Sequence, residues 1–77
     1  MTLKTKAQCW VICEELDRQC GAVTAYELRD ALAARYGNRR WFTVETLQRR
    51  MRAMAGTVEI FERTGPNGAH CYRLRQP

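Results

Sequence analysis

Residues 43–56, TVETLQRRMRAMAG, decide the fold of this chain. Thr43 suits an N-cap, since its hydroxyl can accept an orphan amide proton of the first helical turn. Gly56 suits the left-handed residue just past a helix end. Between them Val44, Leu47, Met51 and Met54 recur at spacings of three and four, which makes one apolar face. At about 100° per residue, Arg49 stands almost opposite that face. Glu45, Thr46, Arg52 and Ala53 flank it, with Gln48 and Arg50 at the borders. The pattern predicts a helix over 43–55 with an apolar back and an Arg-rich front. The rest of the chain reads as a scaffold that presents it.

Upstream, Thr5-x-x-Gln8 has the form of a capping box and opens a helix over 6–19. Cys9, Ile12, Cys13, Leu16 and Cys20 form its stripe, with Trp10 beside it and Lys4, Val11, Glu15 and Arg18 away from it. Gly21 ends it. A short strand is expected near 22–24. Thr24-x-x-Glu27 is a second capping box and opens a helix over 25–36. Its apolar face is Ala25, Leu28, Ala31, Leu32 and Tyr36, and Gly37-Asn38 stops it. Phe42 precedes the Thr43 cap, where a hydrophobic staple fixes the direction of approach.

Downstream of Gly56 the period changes from helical to alternating. Residues 57–63 read as a strand and residues 70–75 as its return. The turn cluster over 64–69 contains Asn67-Gly68, which favours a type I′ turn.

Seventy-seven residues make one small domain, 1–77. No apolar run approaches the roughly 18 residues of a membrane span, so no membrane partner is expected. The run Cys9-Trp10-Val11-Ile12-Cys13 is too short for a secretory signal and meets Glu14, Glu15 and Asp17 at once. The expected address is the cytoplasm. Residues 1–38 balance five basic against five acidic side chains, whereas residues 39–77 hold eight arginines against Glu45, Glu59 and Glu62. The net charge of +5 therefore lies wholly in the second half, as arginine. Arginine suits bidentate, phosphate-type partners; the bland alternative is a solvated basic face.

The order helix, short strand, helix, helix, hairpin resembles the winged helix-turn-helix family. The resemblance covers nearly the whole chain. It is carried by the Thr24 cap, the Arg-bearing third helix from Thr43, and the Gly-rich tip followed by Tyr72-Arg73-Leu74-Arg75. It implies a small α+β fold: three helices, a C-terminal two-stranded β-hairpin wing and a possible short strand near 22–24. In members that bind DNA, the third helix lies in the major groove and the wing touches the backbone or the minor groove. Carried over, Thr43, Thr46, Arg49, Arg50 and Ala53 fall near the groove, and Arg63, Arg73 and Arg75 on or near the wing. The connection over 37–42 is longer than the tight turn of the basic motif. It either brings Arg39 and Arg40 to phosphates or tilts the third helix away from a simple fit. Glu45 counts slightly against DNA, unless it accepts a hydrogen bond from cytosine N4.

The cysteines read as packing residues, because Cys9, Cys13 and Cys20 share the stripe of Ile12 and Leu16. A Zn set from Cys9, Cys13, Cys20 and Cys71 is acceptable by ligand type but lacks the usual paired spacing, so neither metal nor cofactor is expected. Catalysis has no candidate either. His70 is the one histidine, and its neighbour Cys71 points to the opposite face of a strand. Trp10 and Trp41 are expected half-buried, with Trp41 the better partner anchor. The expected function is therefore double-stranded DNA binding, as a transcriptional regulator or recombination-accessory factor, with a homodimer or a protein partner as further options. The alternative is a winged-helix protein interaction module without DNA binding, using Trp10, Val11 and Phe61.

Overall fold

A computed structural model describes residues 3–61 and 68–75. In chain order it contains α1 (Leu3–Arg18), β1 (Val23–Thr24), α2 (Ala25–Tyr36), α3 (Val44–Ala53), β2 (Val58–Phe61) and β3 (Cys71–Leu74). The architecture is small α+β, with three helices and one three-stranded antiparallel sheet. The strand order is β1-β3-β2, so the last strand is the central one. Val23 pairs with Tyr72 and Thr24 with Cys71 on one side, and Val58 with Leu74 and Phe61 with Cys71 on the other.

Local chemistry sets the ends of α2 as expected. The amide of Glu27 donates to Oγ1 of Thr24 at 3.2 Å, and the amide of Thr24 donates to Oε1 of Glu27 at 2.9 Å. Gly37 closes the helix at a φ of 79°, where a side chain is strained, and its amide reaches the carbonyl of Ala33. The α3 start is also as expected, with the Thr46 amide donating to Oγ1 of Thr43 at 3.2 Å.

Other boundaries differ. The first helix begins at Leu3, so Thr5 lies inside it and is not its N-cap. It stops at Arg18, and Gly21 has no positive φ. The third helix ends at Ala53 rather than 55, with Met54 as its C-cap. Gly56 is not left-handed. The Met54 carbonyl instead accepts from the amides of Thr57 at 2.8 Å and Val58 at 2.7 Å, which closes the turn into β2 without that conformation. Residues 62–63 of the predicted strand and most of the predicted Asn67-Gly68 turn lie outside the described residues. Gly68 itself has a φ of 73°.

The core joins all three helices to the sheet. Ile12 and Leu16 of α1, Leu28 and Leu32 of α2, Leu47 and Met51 of α3, Val58 and Tyr72 form one buried cluster with Ala25 and Phe42. Phe42, the predicted staple residue, and Leu47 both belong to it. Trp41 packs on its rim, edge-on to Phe42 with ring centroids 4.7 Å apart.

Several side chains of α1 and α2 sit elsewhere than the periodicity predicts. Trp10 is 63% exposed, Cys20 is exposed and Tyr36 lies on the surface. Glu15, predicted on the outer side, is buried. Its carboxylate survives there because Arg35 Nε donates to Oε1 at 2.8 Å and Gln19 Nε2 donates to Oε2 at 3.0 Å. Arg18 adds a weaker pair at 4.0 Å. A buried charge is tolerated only with such partners, and here they tie α1 to α2.

Candidate nucleic-acid interface

The surface presented by α3 follows from its burial. Leu47 and Met51 face inward with no exposure, and Val44 and Met54 pack against the core from the edges. The opposite side carries Glu45, Arg49, Arg52 and Ala53, all exposed. Arg49 and Arg52 are three residues apart and hence neighbours on the helix surface. The N-cap residue Thr43 is exposed, and Thr46 is half-buried.

Arginine partners divide the molecule. Arg18 pairs with Glu14 at 3.7 Å, Arg29 with Asp30 at 3.2 Å, Arg35 with Glu15 at 2.8 Å and Arg73 with Glu59 at 3.2 Å. Arg50 donates to Gln8, and Arg75 donates to the Ala55 carbonyl at 3.0 Å. The side chains of Arg39, Arg40, Arg49 and Arg52 have no hydrogen bond or ion pair among the described residues, and all are exposed. Arg39 and Arg40 stand in the connection before α3, where the Phe42 amide donates to the Arg39 carbonyl at 3.0 Å and forms a turn.

Two expected contact residues are therefore placed differently. Arg50 is half-buried and engaged with Gln8 on α1, so it leaves the open front. Arg73 is half-buried, bound to Glu59 and stacked over the Phe61 ring at 5.1 Å, which spends much of its charge inside the hairpin. Arg75 is exposed beside the α3–β2 turn. Arg63 lies outside the described residues.

Beside the α3 front run two grooves. One, of about 680 Å³, is lined by Thr24, Tyr26 and Glu27 of the α2 start, Gln48 and Arg52 of α3, and His70. The other, of about 450 Å³, is lined by Tyr26 and Arg29 of α2 with Thr43, Val44 and Glu45. Tyr26 forms the ridge between them. It is 54% exposed, and the Arg29 guanidinium lies over its ring at 5.5 Å. Tyr26, Arg29, Arg52 and His70 were not among the site residues expected from sequence. Arg52 was recoverable from its spacing to Arg49. Tyr26 and Arg29 had only their position off the α2 apolar stripe to mark them. His70 gave no local signal, because it reaches the groove through the pairing of β3.

Among the described residues, no group of three or more His, Cys, Asp or Glu is placed to hold a metal ion, and no helix is long and apolar enough to cross a membrane. Comparison with protein-family models, with curated proteins and with solved structures returns no match for this chain.

Proposed function

We propose that this chain is a small winged helix-turn-helix protein that binds double-stranded DNA in the cytoplasm, as a regulator or recombination-accessory factor rather than a catalyst. In this proposal α3 enters the major groove and the β2–β3 hairpin is the wing. One observation carries it: among the described residues, the arginines whose side chains have no protein partner are Arg49 and Arg52 of α3 and Arg39 and Arg40 of the connection leading into it. An arginine placed for solubility gains from any nearby carboxylate. One left open beside a polar groove is ready for phosphate or a guanine edge. Arg39, Arg40 and Arg52 would position the backbone, and Arg49 would read a base.

The test is binding to a random duplex at two salt concentrations. A protein making several phosphate contacts loses affinity steeply between roughly 50 and 200 mM salt. Weak binding that ignores salt would remove the proposal. A protein-interaction role is favoured by a different observation, the exposure of Trp10 on α1, since tryptophan is enriched at interface anchors. A single module covers only about 600–1,000 Å² on DNA, so a second copy or a protein partner joined through α1 is compatible with either role.

A further inference from the structure

Behind the α3 front, sulfur atoms from opposite halves of the chain meet. Sγ of Cys13 on α1 lies 3.8 Å from Sδ of Met54, the C-cap of α3. Cys9 sits one helical turn before Cys13, at the i, i+4 spacing that stacks side chains on one face. It is buried, while Cys13 and Met54 are half-buried at the edge of the core. Cys13 and Met54 therefore bring a thiol and a thioether together at a place that solvent can still reach, with the Cys9 thiol one helical turn away.

We propose that Cys9, Cys13 and Met54 form a binding site for a soft monovalent cation of the Cu(I) class. Thiolate and thioether ligands select such ions over hard or borderline ones. With metal–sulfur bonds of about 2.3 Å, a trigonal arrangement sets sulfurs roughly 4 Å apart, close to the spacing that Cys13 and Met54 already have. Binding is a ligand exchange without redox change. Two S–H bonds break, two metal–thiolate bonds form, two protons pass to solvent, and Met54 donates a neutral lone pair. Zinc is disfavoured because it prefers four ligands of the Cys, His or carboxylate kind, and among the described residues no further such group completes the set.

Without the ion, Cys13 and Met54 make a packing contact. Burial pushes the Cys13 thiol above its ordinary value, and Cys9 adds to the shift. A thiol held protonated is a poor nucleophile and resists oxidation. The fold does not depend on the ion, since the core closes around Ile12, Leu47 and Met51. A bound ion would pin α1 to the end of α3.

The experiment titrates the reduced protein with Cu(I), under exclusion of air, against a chromophoric Cu(I) chelator. One equivalent should be retained, with thiolate-to-copper charge-transfer absorption and a raised melting temperature, as for any ligand of the native state. Cys13→Ser should abolish retention. Met54→Leu, which keeps the apolar contact, should weaken it by roughly tenfold or more, as loss of a matched soft ligand requires. Cys20→Ser, at an exposed thiol, should bind as the parent does. If Cys13→Ser fails to fold, Met54→Leu decides alone. No retention by the parent protein, or unchanged affinity in Met54→Leu, overturns the site. Loss in Cys20→Ser would place the ion elsewhere and overturn it equally.

Discussion

Arg50 on α3 donates its Nε proton to Oε1 of Gln8 on α1 at 2.9 Å, while Arg49, its neighbour in sequence, has no such partner among the described residues. Two adjacent arginines thus point about 100° apart around the helix, Arg50 toward α1 and Arg49 to solvent. Arg50→Ala should lower stability by about 1–3 kcal/mol, because the buried Gln8 loses its donor. Arg49→Ala should leave stability within about 0.5 kcal/mol and cost about 1–3 kcal/mol on a preferred duplex. Melting curves and fluorescence anisotropy on the same samples separate the two. Equal effects on both readouts would place the arginines on one face.

Leu47→Ala should cost roughly 2–5 kcal/mol, since Leu47 has no exposure and lies in the cluster that joins all three helices to the sheet. An unchanged denaturant midpoint would mean that α3 is rotated and that its front must be redrawn.

Arg52 and Arg73 should differ in their salt signature. Arg52→Ala should reduce the slope of log K against log salt by about one unit, as expected for one phosphate contact. Arg73→Ala should reduce it by less, because Glu59 already neutralises much of that charge. The reverse order in a salt titration would show that Arg73 leaves Glu59 for the nucleic acid.

Tyr72 has no exposure, and its hydroxyl has no hydrogen-bond partner among the described residues. Tyr72→Phe should therefore raise stability, by about 1 kcal/mol. Burial also lifts the Tyr72 phenol above its ordinary value of 10.0, aided by Cys71 and opposed by the charge of Arg52. The Cys13 thiol likewise lies above 9.0. Both groups hold their protons more tightly folded than unfolded, so their contribution is complete below about pH 9 and is lost as pH rises through the folded values. Melting temperature should fall in alkaline buffer. Tyr72→Phe should flatten the part of that fall above about pH 10, and an identical alkaline profile in the variant would contradict the assignment.

A chelator should leave the far-UV circular dichroism and the melting curve unchanged, because hydrophobic side chains of the buried cluster join all three helices to β2 and β3. Joint loss of bound metal and fold would instead indicate a structural site.

Much of the fold was legible because its signals are local. The Thr24 and Glu27 pair of bonds closes within three residues, so the sequence pattern could mark the start of α2. The same holds for Thr43 and for the Leu47 and Met51 face. What escaped depends on distant partners. Glu15 looked outward until Arg35, on another helix, supplied the charge that permits its burial. Arg50 looked like a groove residue until Gln8 claimed it. Trp10 stands at the border of the α1 stripe, where periodicity alone does not assign a side, and it falls outside. The Tyr26 and His70 groove needed the pairing of β3 with β1 at the start of α2, which no single stretch encodes.

The position of β3 also bears on how the protein is made. The central strand is synthesised after the other strands of its sheet, and β1, two residues long, pairs only with it in that sheet. A growing chain therefore exposes all three helices before it owns the strand that unites them. Tyr72, one of the largest fully buried side chains, arrives with that strand. A product terminated before it would display an open apolar surface to chaperones and proteases. Synthesis through β3 is thus a condition for closing the core, and the arginine surface of α3 reaches its final setting only once that strand is in place.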